Sequence, residues 1–147
     1  MLRLALLFLL IGSAFGQPAE HITPAPQAAI AEAWQFSPAV RVGNMVWVSG
    51  QVGMGANGMG ADAAAQSVLA LDNLAYVLSE AGASLSDVVE LTSYHVGSES
   101  LDAFRAAKAA VFTAAYPAWT AVEVSGLAAP GLVVEVKAVA VIGSAGK

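Results

Sequence analysis

Cysteine is absent from this chain of 147 residues, charged residues make up only 12% of it, and aromatic residues 7%. Without cysteine there are no disulfides, no thiolate metal sites, no cysteine nucleophile and no lipidated N-terminal cysteine. Basic residues are scarce: six Lys and Arg stand against eleven Asp and Glu, for a formal charge of −5. That balance argues against general attraction to phosphate backbones or anionic membranes, so neither nucleic acid nor a membrane surface is assigned as a partner. The two histidines, His21 and His95, fall at no metal-ligand spacing with a carboxylate cluster. No metal and no cofactor is assigned, and His95, after Tyr94 near a strand end, reads as structural. What the chain has in quantity is hydrocarbon: 57% of residues are hydrophobic and the mean hydropathy is +0.66. Such a chain can bury enough surface to offset its ordering entropy, and its length suits one domain.

The N-terminus is set apart from the fold. Arg3 gives a short positive start, residues 4–11 are almost unbroken hydrocarbon, and Ala14-Phe15-Gly16 offers small residues where a signal peptidase reads. This layout predicts a secretory signal peptide over 1–16 with cleavage before Gln17, and hence an exported protein. The run is short for a membrane span of about 20 residues, although an uncleaved anchor is the competing reading. A single domain over 17–147 remains, with a formal charge of −6 once Arg3 is removed.

Along that domain, residues 17–33 are Pro- and Ala-rich with weak periodicity and read as an extended lead-in. Residues 39–42 and 45–48 read as strands around the turn Gly43-Asn44. The glycine-rich 53–60 fits neither GxGxxG nor a Walker loop and reads as a flexible loop. Asp62 caps a helix to about residue 81, stopped by Gly82, with Val68, Leu71, Leu74, Ala75 and Leu78 at helical spacing. Residues 88–96 form a strand. Ser100 caps a second helix to about 115, ended by Tyr116-Pro117. Strands over 118–124 and 132–142 follow, parted by Ala129-Pro130-Gly131. The predicted order β-β-α-β-α-β-β is an α+β sandwich with helices on one sheet face.

Seven collinear segments resemble the RidA/YjgF (Rid) family. They are Phe36-Ser37-Pro38-Ala39-Val40, Gly43-Asn44-Met45-Val46-Trp47-Val48-Ser49-Gly50-Gln51, Leu71-Asp72-Asn73-Leu74, Ala81-Gly82-Ala83-Ser84-Leu85-Ser86-Asp87-Val88-Val89, Leu101-Asp102-Ala103-Phe104, Pro117-Ala118-Trp119-Thr120-Ala121-Val122-Glu123-Val124 and Val134-Glu135-Val136-Lys137-Ala138-Val139-Ala140-Val141. The Pro-Ala-Trp-Thr-Ala-Val form is similar to the YjgH-like branch. The resemblance implies a chorismate-mutase-like fold assembled as a homotrimer, with clefts between subunits that hydrolyse enamines and imines. It implies an arginine that clamps the substrate carboxylate and a glutamate that handles a water.

This chain departs from that pattern. Trp119 stands in the clamp position, Phe36 replaces a tyrosine, and Lys108 aligns with an asparagine. Glu135 stands where the family's catalytic glutamate stands, so it is the candidate catalytic residue. A dry cleft between subunits, facing Trp119, would raise its pKa by desolvation; the competing reading is a solvated strand residue beside Lys137. Lys108 falls inside the apolar stripe Leu101, Phe104, Val111, Phe112, Ala115, and either snorkels to solvent or enters the cleft to pair with Glu135 or replace the arginine. Trp119 and Phe36 are either core or ligand-stacking walls. Ser49-Gly50 resembles the cleft edge, and Ser49 has no histidine base to make it a nucleophile. The ligand-binding candidates are thus Phe36, Ser49, Gly50, Lys108 and Trp119. Two functions compete: slow C=N hydrolysis through Glu135 and water, with neutral or aromatic ligands preferred, and a non-catalytic trimeric binding module. RNA cleavage, a third, is disfavoured by the acidic charge and by export.

Overall fold

The computed structural model describes residues 16–114 and 116–145. The predicted leader, apart from Gly16, lies outside the described residues. The chain forms a six-stranded sheet with two long helices on one face. The strands are β1 (Glu20–Ile22), β2 (Ala39–Val42), β3 (Met45–Val52), β4 (Met54–Gly55), β5 (Gly58–Met59), β6 (Val88–His95), β7 (Ala118–Glu123) and β8 (Val134–Val141). The helices are α1 (Ala28–Trp34), α2 (Ala63–Glu80) and α3 (Ser98–Val111). The main sheet runs β1-β2-β3-β8-β6-β7, antiparallel except for the β6–β7 pair, and β4–β5 is a separate small hairpin. This is the expected α+β architecture.

Period-2 alternation decides which face each strand buries. Val46 and Val48 of β3, Leu91 of β6, and Val134, Val136, Ala138 and Ala140 of β8 all point to the helix side and are buried there. They meet Leu71, Leu74, Val77 and Leu78 of α2, together with Phe104 of α3 and Phe112 just beyond it, in one core. The opposite sheet face carries Met45 and Trp47, 37% and 42% exposed.

The helix signals behave as local chemistry requires. Asp62 Oδ1 accepts from Ala65 N at 2.8 Å, closing the first turn of α2. At the other end Gly82 takes φ +77°, its N–H reaching Ser79 O while Ala83 N–H reaches Leu78 O, a Schellman ending. Gly43, at φ +62°, turns β2 into β3.

Four expectations are corrected. The lead-in 17–33 contains β1, which extends the sheet beside β2, and all of α1 but its last residue; its sequence carries little periodicity because only Ala31 of α1 is buried. The loop 53–60 contains the β4–β5 hairpin, held by Asn73 Nδ2, which donates to Val52 O and Met54 O, and by Gln66 Nε2, which donates to Gly60 O. Val68 lies outside the buried stripe of α2 at 51% exposure, because that stripe runs instead through Gln66, Ser67 and Ala70. Ser100 does not cap α3. The helix begins two residues earlier after Gly97, and the Ser100 hydroxyl is buried and donates to Val133 O.

Candidate functional site

Alternation along β8 turns Glu135 and Lys137 away from the helices, onto the uncovered face of the sheet. Glu135 is paired across β8 with Val52 on one side and Tyr94 on the other. Beside it β3 is irregular: the register with β8 slips by one residue between Val48 and Gln51, which leaves Ser49 and Gly50 in a bulge. The Ser49 N–H turns to Pro38 O at 3.0 Å and its hydroxyl donates to Ser37 O at 2.7 Å. A hydroxyl proton held by a carbonyl is not poised for nucleophilic attack. Gln51 Nε2 donates to Ser49 O, and Gln27 Nε2 donates to Gln51 Oε1, bracing the bulge from the buried side. Phe36, 37% exposed, directly precedes the Ser37-Pro38 pair that holds Ser49.

The bulge makes room for the carboxylate. A Cβ on Gly50 would overlap Glu135 Oε1 and lie 2.6 Å from its Cδ, so the side chain of Glu135 lies directly against the Gly50 backbone. Among the described residues no donor or cation bonds that carboxylate. Partial burial, with nothing to stabilise the charge, pushes its pKa above the ordinary glutamate value. A carboxylate of this kind accepts a proton from a neighbouring water more readily than a solvated one.

The second cluster is on the other side of the sheet. β7 is an edge strand in parallel register with β6, and Trp119 lies opposite Leu91, whose side chain is fully buried under the helices. Trp119 Nε1 donates to the buried Ser93 Oγ at 2.9 Å, and its ring packs on Phe104 with centroids 6.1 Å apart. Lys108 Nζ sits 4.4 Å from the centroid of the Trp119 ring. These two, with Asp102, Arg105 and Ala106, line an open depression of about 490 Å³. The Arg105–Asp102 pair at 3.3 Å is exposed on both sides and contributes little.

The structure thus brings Ser49, Gly50 and Glu135 together, and Lys108 with Trp119, but it does not bring the two groups together within one protomer; Phe36 is joined to the first group only through the neighbouring Ser37 and Pro38, whose carbonyls hold Ser49. Within one protomer Glu135 does not face Trp119, because the two side chains leave opposite faces of the sheet. Lys108 neither pairs with Glu135 nor swings free into solvent; the indole face holds it. Trp119 is at once core, through Ser93 and Phe104, and surface. Sequence reasoning missed Ser93 as a partner of Trp119. The signal was present, since Leu91, Ser93 and His95 follow one another at period 2 and share a face.

A mixed sheet covered on one side by two helices, with a bulged strand cradling a β8 glutamate, defines a YjgF/RidA-type fold. The Endoribonuclease L-PSP family model matches residues 26–142. The chain is 36% identical over 122 residues to the RutC family protein YjgH of Escherichia coli, covering 81% of this chain and 92% of that protein. The crystal structure of Rv2704 from Mycobacterium tuberculosis, a YjgF/YER057c/UK114 family member, superposes with a TM-score of 0.75 at 33% identity, covering 85% of this chain and all of that one. Escherichia coli TdcF with bound serine gives a TM-score of 0.68 at 26% identity, over 72% of this chain and 87% of that one. The chain belongs to the YjgF/RidA family.

Proposed function

We propose that this protein is an exported homotrimer that binds small, neutral or aromatic ligands in clefts between subunits, with slow C=N hydrolysis through Glu135 and water. The observation that carries this reading is the separation of the two clusters by the sheet. One protomer presents a carboxylate and a bulged backbone edge on its uncovered face, and an indole with an ammonium at its far edge. A complete site forms only where the uncovered face of one copy meets the Trp119 edge of another. The uncovered face suits such contact, since Met45 and Trp47 are exposed on it. That a serine occupies TdcF supports a ligand of metabolite size.

In this cleft Glu135 takes a proton from water, and the resulting hydroxide adds to the carbon of a C=N bond. Protonated Glu135 returns that proton to the nitrogen, giving a neutral carbinolamine; Glu135 then carries the carbinolamine O–H proton to the nitrogen as the C–N bond breaks, so that free amine leaves, a carbonyl product remains and the carboxylate is regenerated. What is missing is the bidentate cation. Lys108 supplies one point charge without the planar fork of arginine, so 2-imino acids are held weakly and in a salt-sensitive manner. RNA cleavage fits poorly with a formal charge of −5, and the half-buried Arg41 is already engaged by Gly43 O and Ala81 O.

The deciding experiment measures hydrolysis of a 2-imino acid generated in situ, for wild type, Trp119→Arg and Glu135→Gln. The wild type is expected about a hundredfold below an arginine-bearing relative, about 2.7 kcal/mol of transition-state binding, with Trp119→Arg restoring activity and Glu135→Gln abolishing it. Wild-type activity equal to the relative's and indifferent to Trp119→Arg refutes control by this position. Ligand binding without any Glu135-dependent turnover would instead establish the non-catalytic binding module.

A further inference from the structure

Behind Trp119 the core holds an unbroken run of polar groups where strand and helix positions ordinarily carry hydrocarbon. Ser93, His95 and Ser100 are each no more than 1% exposed. Trp119 Nε1 donates to Ser93 Oγ, Ser93 Oγ lies 2.8 Å from His95 Nε2, His95 Nδ1 lies 3.1 Å from Ser100 Oγ, and Ser100 Oγ donates to Val133 O.

The two ends of this run fix every proton inside it. An indole N–H only donates and a carbonyl oxygen only accepts. Ser100 has one proton and gives it to Val133, so it accepts from His95 Nδ1–H. A neutral imidazole protonated at Nδ1 is bare at Nε2, which then accepts the proton of Ser93. Ser93 in turn is free to accept from Trp119. One tautomer of an uncharged histidine satisfies each group, and every donor points from Trp119 inwards.

Buried polar groups are costly unless fully paired, and valine or leucine would fill these positions without needing partners. The run reaches the surface through the Trp119 indole, whose exposed side carries Lys108. We propose that Ser93 and His95 are positioning residues for the ligand cleft: their hydrogen-bond run fixes the orientation of the Trp119 indole under Lys108, so that the aromatic wall is in place before a ligand arrives. This rests on the reading of Trp119 as a cleft wall. A free indole turns about two side-chain torsions; one Nε1 bond together with packing on Phe104 removes that freedom in advance.

The same arrangement requires His95 to stay neutral. Burial depresses its pKa below the ordinary imidazole value. Protonation would set an Nε2–H against Ser93 Oγ and turn the Ser93 proton out of the run. Few other charges face the ring. β8 sets Val134 opposite it, α3 contributes Ser100 and Phe104, and β7 places the exposed Glu123 in register beside it. The α3 cations are engaged elsewhere, Lys108 on Trp119 and Arg105 on Asp102.

The test follows the three indole N–H signals of the nitrogen-15-labelled protein by NMR, with the Trp119 signal assigned by its loss in Trp119→Phe. In the wild type the Trp119 N–H should exchange with water at least tenfold more slowly than that of the exposed Trp34, and its shift should follow a single titration in the acid range. Ser93→Ala should remove the slow exchange while core amides stay protected, and Ser93→Thr, which keeps the hydroxyl, should retain it. His95→Gln offers an amide oxygen to Ser93 and cannot titrate, so it should keep slow exchange and lose the pH step. An indole signal unchanged by Ser93→Ala, or a pH step that survives His95→Gln, overturns the proposal. Benzamide, as a flat neutral probe, should bind at least fivefold more weakly to Ser93→Ala and to Trp119→Phe. If the indole signals behave as stated but Trp119→Phe binds benzamide as the wild type does, the cleft reading fails and the proposal fails with it. A failure of the indole signals alone leaves the cleft reading standing.

Discussion

Replacing Gly50 by alanine isolates the carboxylate from the rest of the fold. The backbone of Gly50 is outside the left-handed region, so alanine meets no conformational penalty there. Its Cβ would overlap Glu135 Oε1 and come within 2.6 Å of Cδ and 3.0 Å of Cγ. The obstruction is the flexible end of one side chain rather than backbone, so the cheapest relief is rotation of Glu135 outwards. Three effects then nearly cancel. Glycine to alanine at a compatible site stabilises by about 0.4–1 kcal/mol through the unfolded chain. Releasing a half-buried carboxylate to water removes a desolvation penalty. Against these stand the lost packing of Glu135 on Gly50 and any residual crowding, of the order of 1 kcal/mol. Gly50→Ala should therefore unfold in urea within about 1 kcal/mol of the wild type, and within about 5 °C of its Tm. The Glu135 pKa, followed by carboxyl NMR, should fall back towards the ordinary glutamate value, and any Glu135-dependent hydrolysis should drop at least tenfold. A raised pKa that persists in Gly50→Ala, or a loss of about 3 kcal/mol or more, would show that the carboxylate is not held by this contact in the way the geometry indicates.

Glu135→Gln should be more stable than the wild type near neutral pH. Because burial raises this pKa, the folded protein holds the proton more tightly than the unfolded chain, and the associated stability is complete below the ordinary carboxylate range and lost as pH rises through the folded value; a Tm difference that stays constant from about pH 4 to about pH 8 contradicts this. His95 acts with the opposite sign, its depressed pKa giving stability that is complete above the ordinary imidazole value and lost as pH falls through the folded one, so denaturation of His95→Gln should lack the acid-side loss. Gln66→Leu strands two carbonyls, Gly60 O and Gly131 O, and the Val133 N–H, and should cost about 2–4 kcal/mol in urea unfolding; a cost under 1 kcal/mol means water replaces the amide. Light scattering should give three times the protomer mass, and mass spectrometry of protein recovered from outside the cytoplasm an N-terminus at Gln17; a monomer mass, or retention of residues 1–16, would refute these two readings separately.

Elements whose causes are short-range are legible in the chain before it folds. Asp62 and Gly82 bracket α2 because a cap and a left-handed stop act within one turn, and alternation in β8 already separates Glu135 from Val134 and Val136. Sequence also marked Glu135 and Gly50 through their segments, although nothing local says that one side chain rests on the other residue's backbone. β1 and α1 escaped notice because a strand paired on one edge and a helix burying one alanine leave almost no hydrophobic period. Ser100 resembled a cap because the same hydroxyl chemistry serves a helix N-terminus or a buried carbonyl, and only the approach of Val133 decides between them. The largest difference concerns the site. Parity along β7 and along β8 can each be read locally, but whether Trp119 and Glu135 share a face depends on how both strands pair with β6. The parallel β6–β7 register puts Trp119 with Leu91, and the antiparallel β6–β8 register puts Glu135 with Tyr94, whose side chain leaves the other side of the sheet. That relation is set by hydrogen bonds between residues far apart in sequence, so it arises only when the strands assemble.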